Sequence, residues 1–128
     1  YMTARDDEEI LTQIRFPTHA GGYAYEKQKR KIGDYATAAA AVLLTRDGGM
    51  CNAASVAMTN LSDVPVFSEN ASAALVGSAC DAGAVKAAVD AMLEDIDPSE
   101  DNRGPVEFKR HVAGVILGHA IARAWSRA

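Results

Sequence analysis

Residues 36–59 read ATAAAAVLLTRDGGMCNAASVAMT, and the way this stretch folds decides the class of the whole chain. Four consecutive alanines, Ala38 to Ala41, favour a helix on propensity alone. Asp47-Gly48-Gly49 argues the other way, because this turn chemistry is that of a tight β-hairpin. Beyond it, Ala54, Val56 and Met58 alternate with Ser55, Ala57 and Thr59, which is the two-residue period of a strand. A hairpin requires a strand on both sides. Residues 36–46 and 50–59 are therefore predicted to be antiparallel strands, and the alanines suit a strand packed closely under a neighbouring layer.

Working back towards the start, Ile32-Gly33-Asp34 is a turn signal. Tyr23 to Lys31 reads as a further strand, with Tyr23, Tyr25, Lys27, Lys29 and Lys31 on one face and Ala24, Glu26, Gln28 and Arg30 on the other. Neither face is properly apolar. Glu9 to Phe16 also alternates in strand fashion, and Pro17 ends it. Residues 1–8 are polar and acidic, and Tyr1 precedes Met2. They are expected to be a disordered tail or a cloning remnant, with 9–128 forming one domain.

After Pro65 the period changes. Ser68 suits the N-cap of a short helix near 68–77, which Gly77 would close. Asp81 suits the cap of a second helix over 81–97. There Val85, Val89, Met92, Leu93 and Ile96 form an apolar stripe. Pro105 fits the first turn of a last helix over 105–126, with Phe108, Val112, Val115, Ile116 and Ala122 as its predicted buried face. Strands come first and helices follow. The expected fold is α+β, an antiparallel sheet of three to four strands within residues 9–60, packed against three helices.

Composition bounds what this domain could do. The chain has 128 residues, 23% charged and 48% hydrophobic, with a formal net charge of -4. That is ordinary for a globular domain, and an acidic balance argues against nucleic acid as a partner. No apolar run approaches the ~18 residues that suggest a membrane span, and no secretory signal is apparent. Cys51 and Cys80 stand without a CxxC pair or a Cys/His cluster, so they are expected to be free thiols.

Candidate chemistry is sparse. His19, His111 and His119 are scattered, and the acidic run Glu94, Asp95 and Asp97 reads as a solvated helix end. GxGxxG, GxxxxGK[ST] and HExxH are all missing from the sequence. One stretch is unusual: Lys27-Gln28-Lys29-Arg30-Lys31-Ile32-Gly33-Asp34-Tyr35 holds four cations in five positions of an acidic chain. It reads either as a charged edge strand that resists aggregation or as a surface that meets an anionic ligand or another domain. Nearby tyrosines favour the second reading.

Lys27, Arg30, Lys31, Gly33, Asp34, Tyr35 and Ala36 resemble the K-x-x-R-K-x-G-D-aromatic-A pattern of flavoprotein subunits in the carbon monoxide dehydrogenase and xanthine dehydrogenase group of molybdenum hydroxylases. Ala24-Tyr25-Glu26-Lys27 ahead of it is similar to the carbon monoxide dehydrogenase branch. Thr59-Asn60-Leu61, Pro65, Glu69, Leu75-Val76-Gly77 and Gly104-Pro105-Val106-Glu107-Phe108-Lys109 continue the likeness in order. Gly118-His119-Ala120-Ile121 departs from the two arginines that members often carry before a final Ala-Leu, which leaves the substrate open.

The resemblance implies the C-terminal domain of a flavin-carrying subunit. Enzymes of this group oxidise carbon monoxide, purines, aldehydes or heteroaromatics at a molybdenum centre, and electrons pass through iron–sulfur clusters to FAD. FAD would be held mostly by a preceding FAD-binding domain, with none expected on these residues alone. The implied partners are that domain, a molybdenum-bearing large subunit and an iron–sulfur small subunit, in the cytoplasm. Lys27, Asp34 and Tyr35 are the residues expected nearest the flavin. No catalytic or metal-ligating residue is implied here. The competing expectation is a free-standing interaction or small-ligand-binding module that shares the fold.

Overall fold

The computed structural model describes residues 4–128. Of the acidic leader 1–8, the first three residues lie outside the described ones. Four strands form one antiparallel sheet in sequence order: β1 (Gly22–Gln28), β2 (Ala38–Asp47), β3 (Met50–Thr59) and β4 (Val66–Ser68). Three helices follow: α1 (Glu69–Leu75), α2 (Ala82–Asp95) and α3 (Val106–Trp125). The expected α+β class is what is found.

A tight hairpin forms the centre of the sheet. Asp47 pairs with Met50 across a two-residue turn, and Gly48 and Gly49 both have positive φ, 55° and 85°. A two-residue turn of this hand matches the right-handed twist of its strands. Asn52 is left unpaired in the ladder, since Thr45 faces Ala53 while Arg46 faces Cys51. That one-residue bulge ends the regular register.

Tertiary burial overrides alanine's helix preference in β2. Ala38, Ala40, Val42 and Leu44 are completely or almost completely buried under the helical layer, and α3 lies across β1 and β2. Close packing of this kind needs small residues on both sides. α3 supplies Ala113, Ala120 and Ala124, all buried. At Gly22 the approach is closer still: a Cβ there would stand 1.9 Å from the carbonyl oxygen of Ala124.

Three expectations need correction. Glu9 to Phe16 joins no strand; Ile10, Leu11, Ile14 and Phe16 are exposed. Alternation alone does not make a strand when no sheet edge receives it. The strand predicted to reach Lys31 ends at Gln28, so Lys29, Arg30 and Lys31 belong to the connection before β2. Val66–Ser68 adds a short edge strand before α1, so the fourth strand comes from there, past the predicted limit at 60. Ser68 closes that strand and caps α1 at once, its Oγ accepting from the Ala71 N–H at 2.9 Å.

The face of α3 also differs from the predicted stripe. Lys109, Ala113, Ile116, Leu117, Ala120, Ile121 and Ala124 are buried, whereas Phe108 and Val115 are substantially exposed. The buried face mixes three alanines with Ile116, Leu117 and Ile121, and Phe108 and Val115 lie beside it. α2 keeps its predicted stripe, with Met92 and Ile96 buried and Val85, Val89 and Leu93 packed beside them. Its cap is as expected: Asp81 Oδ1 accepts from the N–H groups of Gly83 and Ala84 at 2.8 and 3.0 Å.

The sheet face away from the helices carries a regular pattern. Register places Tyr25, Ala41, Ala57 and Phe67 in one row across all four strands, with Tyr23, Leu43 and Ser55 in the next. Tyr23, Tyr25 and Phe67 are each more than half exposed. Two alanines therefore form the floor of a trough walled by an aromatic residue on each edge strand, about 14 Å apart at the usual strand spacing.

Candidate functional site

The connection between β1 and β2, residues 29–37, holds the sequence's most unusual feature. Thr37 N–H returns to the Gln28 carbonyl at 2.8 Å, so the connection leaves and re-enters the sheet at one point. Within it the Asp34 N–H meets the Lys31 carbonyl at 3.2 Å, and Gly33 has φ 84°. A positive φ at the third position of a turn favours glycine there. Turned outward by this geometry, Ile32 and Tyr35 are 92% and 77% exposed.

Asp34 is not a free carboxylate. Its Oδ1 accepts from the Tyr35 N–H at 2.9 Å, and its Oδ2 accepts from Arg30 Nε at 3.3 Å. Arg103, from the connection between α2 and α3, brings Nη2 to 3.9 Å from Asp34 Oδ1. The same guanidinium lies over the Tyr35 ring, 5.7 Å from its centroid, within the range of a cation–π contact. Arg103 Nε is buried with no hydrogen-bond partner.

A second layer holds Arg103 in place. Asp101 Oδ1 accepts from the Arg103 N–H at 2.8 Å. Lys109 of α3 is 3% exposed, and its Nζ donates to the Ser99 carbonyl at 2.6 Å and pairs with Asp101 at 3.0 Å. The Lys109 hydrogen bond, with the Arg103 N–H second, holds the Asp101 carboxyl below the usual range. A buried ammonium needs such partners to keep its charge.

The predicted site residues thus separate. Asp34 and Tyr35 are brought together with Arg30 and Arg103. Lys27 stands apart from that network, exposed on β1 opposite Ala39. Lys27, Lys29 and Lys31 have no ion-pair partner among the described residues. Arg103 escapes sequence reading because it lies 69 positions beyond Asp34, in a polar loop with no recognisable signature.

This arrangement can present an aromatic ring backed by positive charge. It cannot cradle a pyrophosphate in the usual way, since the glycines at 48 and 49 close a hairpin and do not open a helix. An exposed tyrosine and lysines without ion-pair partners have the chemistry to meet the ring end of a flavin. Among the described residues there is no cluster of three or more potential metal ligands.

Comparison with known proteins settles what such a loop belongs to. The family model described as the CO dehydrogenase flavoprotein C-terminal domain matches residues 23–124, which include Lys27, Asp34, Tyr35, Arg103 and Lys109. The chain belongs to that family. Among curated proteins, this flavoprotein C-terminal domain is 51% identical over its whole length to the carbon monoxide dehydrogenase medium chain of Afipia carboxidovorans. It is 38% identical over 99% of its length to that of Hydrogenophaga pseudoflava. In each case it covers 45% of the relative, so the chain spans under half the length of these proteins. A solved structure of reconstituted CO dehydrogenase from Oligotropha carboxidovorans superposes with a TM-score of 0.82 at 51% identity. The match covers 84% of this domain and 37% of that chain.

Proposed function

We propose that this domain completes the flavin site of a carbon monoxide dehydrogenase-like medium subunit, by packing against a preceding domain that holds most of the FAD. One observation carries the reading: in an acidic domain, cations and an exposed tyrosine are gathered on one ordered loop, and Asp34 and Arg103 fix that loop to the helical layer. FAD, when bound, supplies the electron acceptor. The chain's own residues do the rest. Tyr35 would pack against the flavin ring, Lys27 would place positive charge near it, and Asp34 would orient the loop that carries Tyr35.

In this reading the subunit assembles with a molybdenum-bearing large subunit and an iron–sulfur small subunit. Those partners would supply the reducing equivalents that such a subunit's flavin accepts. Carbon monoxide as substrate is supported by the 51% identity to one carbon monoxide dehydrogenase medium chain, and the substrate would be met on another subunit. No helix among the described residues is long and apolar enough to cross a membrane, which accords with a cytoplasmic enzyme. The exposed row Tyr25, Ala41, Ala57 and Phe67 offers a seat for the preceding domain.

The test uses the full-length subunit. Lys27→Ala and Tyr35→Ala should each lower FAD content or shift the flavin reduction potential while thermal unfolding stays near that of the parent. Unchanged flavin content and potential in both variants would reduce the loop to a charged connection.

A further inference from the structure

Two thiols that this reading leaves unused meet beneath the hairpin. Cys51 is the second residue of β3, just past the turn, and is 1% exposed. Its backbone is tied to the connection between α1 and α2 by two bonds. The Cys51 N–H donates to the Ser78 carbonyl, and the Gly77 N–H donates to the Cys51 carbonyl, both at 2.7 Å. Cys80 follows two residues after Ser78 and packs against the same core cluster as Cys51. Each thiol lies near enough to perturb the titration of the other. Both are free thiols in this structure.

The conformation of Cys80 is itself unusual. Among the described residues, only Asn60 and Cys80 have positive φ without being glycine, and Cys80 has φ 50°. Asparagine tolerates this region, whereas most other side chains reach it at a cost. The Cys80 N–H donates to Ser78 Oγ at 3.1 Å, which holds the residue there. A short backbone ladder on one side and a fixed left-handed residue on the other thus hold the two cysteines at one junction.

We propose that Cys51 and Cys80 form a reversible intradomain disulfide when the subunit meets a hydroperoxide, locking the hairpin turn to the link between α1 and α2. Cys80 is the more accessible of the two, so its sulfur attacks the peroxide first, breaking the O–O bond and becoming a sulfenic acid with release of one water. Cys51 then attacks that sulfur, forming the S–S bond and expelling the second water. Two thiols lose two electrons and two protons, and one hydrogen peroxide becomes two waters. Burial raises the pKa of both groups above the usual thiol value. Less of either thiol is then present as the reactive thiolate, which slows formation of the bond.

The experiment treats the purified full-length subunit with hydrogen peroxide, blocks remaining thiols with iodoacetamide, and maps peptides without reduction. Asp47–Lys86 contains no internal lysine or arginine, so trypsin releases both cysteines in one peptide. The expected product is that peptide lighter by two hydrogens, unalkylated, and still joined after cleavage at Glu69. Dithiothreitol should restore two alkylated cysteines. The oxidised form should melt about 5 °C or more above the reduced form, and Cys80→Ser should abolish both effects. Full alkylation of Cys51 and Cys80 after peroxide, or overoxidation of either without linkage, would overturn the proposal. That peptide readout comes from the parent protein and does not depend on how well the variant folds.

Discussion

Gly22 shows how closely single atoms set this fold. A methyl group there meets the last turn of α3 at 1.9 Å, and that turn also carries Trp125, over which Arg46 is stacked 4.5 Å from the ring centroid. Gly22→Ala should therefore cost about 2–3 kcal/mol, as overpacking against backbone does, and thermal denaturation would measure it. Cys80 makes a prediction in pH. Burial first, then the negative charge of Cys51, pushes its pKa from 9.0 to about 11. A thiol whose pKa is raised on folding stabilises the native state below its unfolded pKa and loses that contribution as pH rises through the folded one. Melting temperature should fall between pH 9 and 11, and Cys80→Ala should flatten that part of the profile. Some residue roles could be read in advance: Ser68 and Asp81 cap as their side chains suggest. Lys109 and Arg103 could not be, because their partners Ser99, Asp101 and Asp34 lie in loops whose meeting depends on the complete fold.

Among the elements, the hairpin was legible and the edges were not. Asp47-Gly48-Gly49 outweighs the alanine run because a turn with two positive φ values admits few alternatives, while helix propensity is a weak preference that burial reverses. Gly49→Val should test the turn directly. At φ 85° a β-branched residue is strained, and a loss of about 1–2 kcal/mol is expected from denaturant unfolding. The segment from Glu9 to Phe16 misled because period two describes a strand's side chains and says nothing about whether a neighbour exists to pair with it. β4 was hidden for the opposite reason: three residues are too few to show any period. In α3 both candidate faces are apolar, and only the alanine-rich surface of β2 chooses between them.

At the scale of the molecule, what remains uncovered is as informative as the core. Four large apolar residues of Glu9 to Phe16, two tyrosines of β1, Leu43 and Phe67 all face outward, on a domain that spans under half of its relatives' length. The ring-presenting loop lacks any glycine-rich phosphate cradle, so this 128-residue chain alone should bind FAD with no better than micromolar affinity. Fluorescence titration with free FAD would check this, and submicromolar binding would contradict it. The family could be read in the sequence because its motifs recur in order and spacing from Lys27 to Lys109. Which of those residues share a site could not, since the network around Asp34 is completed from Arg103.

The alanine floor of the trough has a consequence for sequence variation. Ala41 is exposed and Ala57 half-buried, on the side of the sheet away from the core. Leucine at either position should leave the melting temperature of the domain close to that of the parent, because neither alanine belongs to the core. The same replacements would raise the floor between Tyr25 and Phe67 and lift whatever rests on it. A library scanned at positions 41 and 57 should then give two different answers. Selection for soluble expression would accept large residues, and selection for docking of the proposed preceding domain would return alanine, serine and glycine.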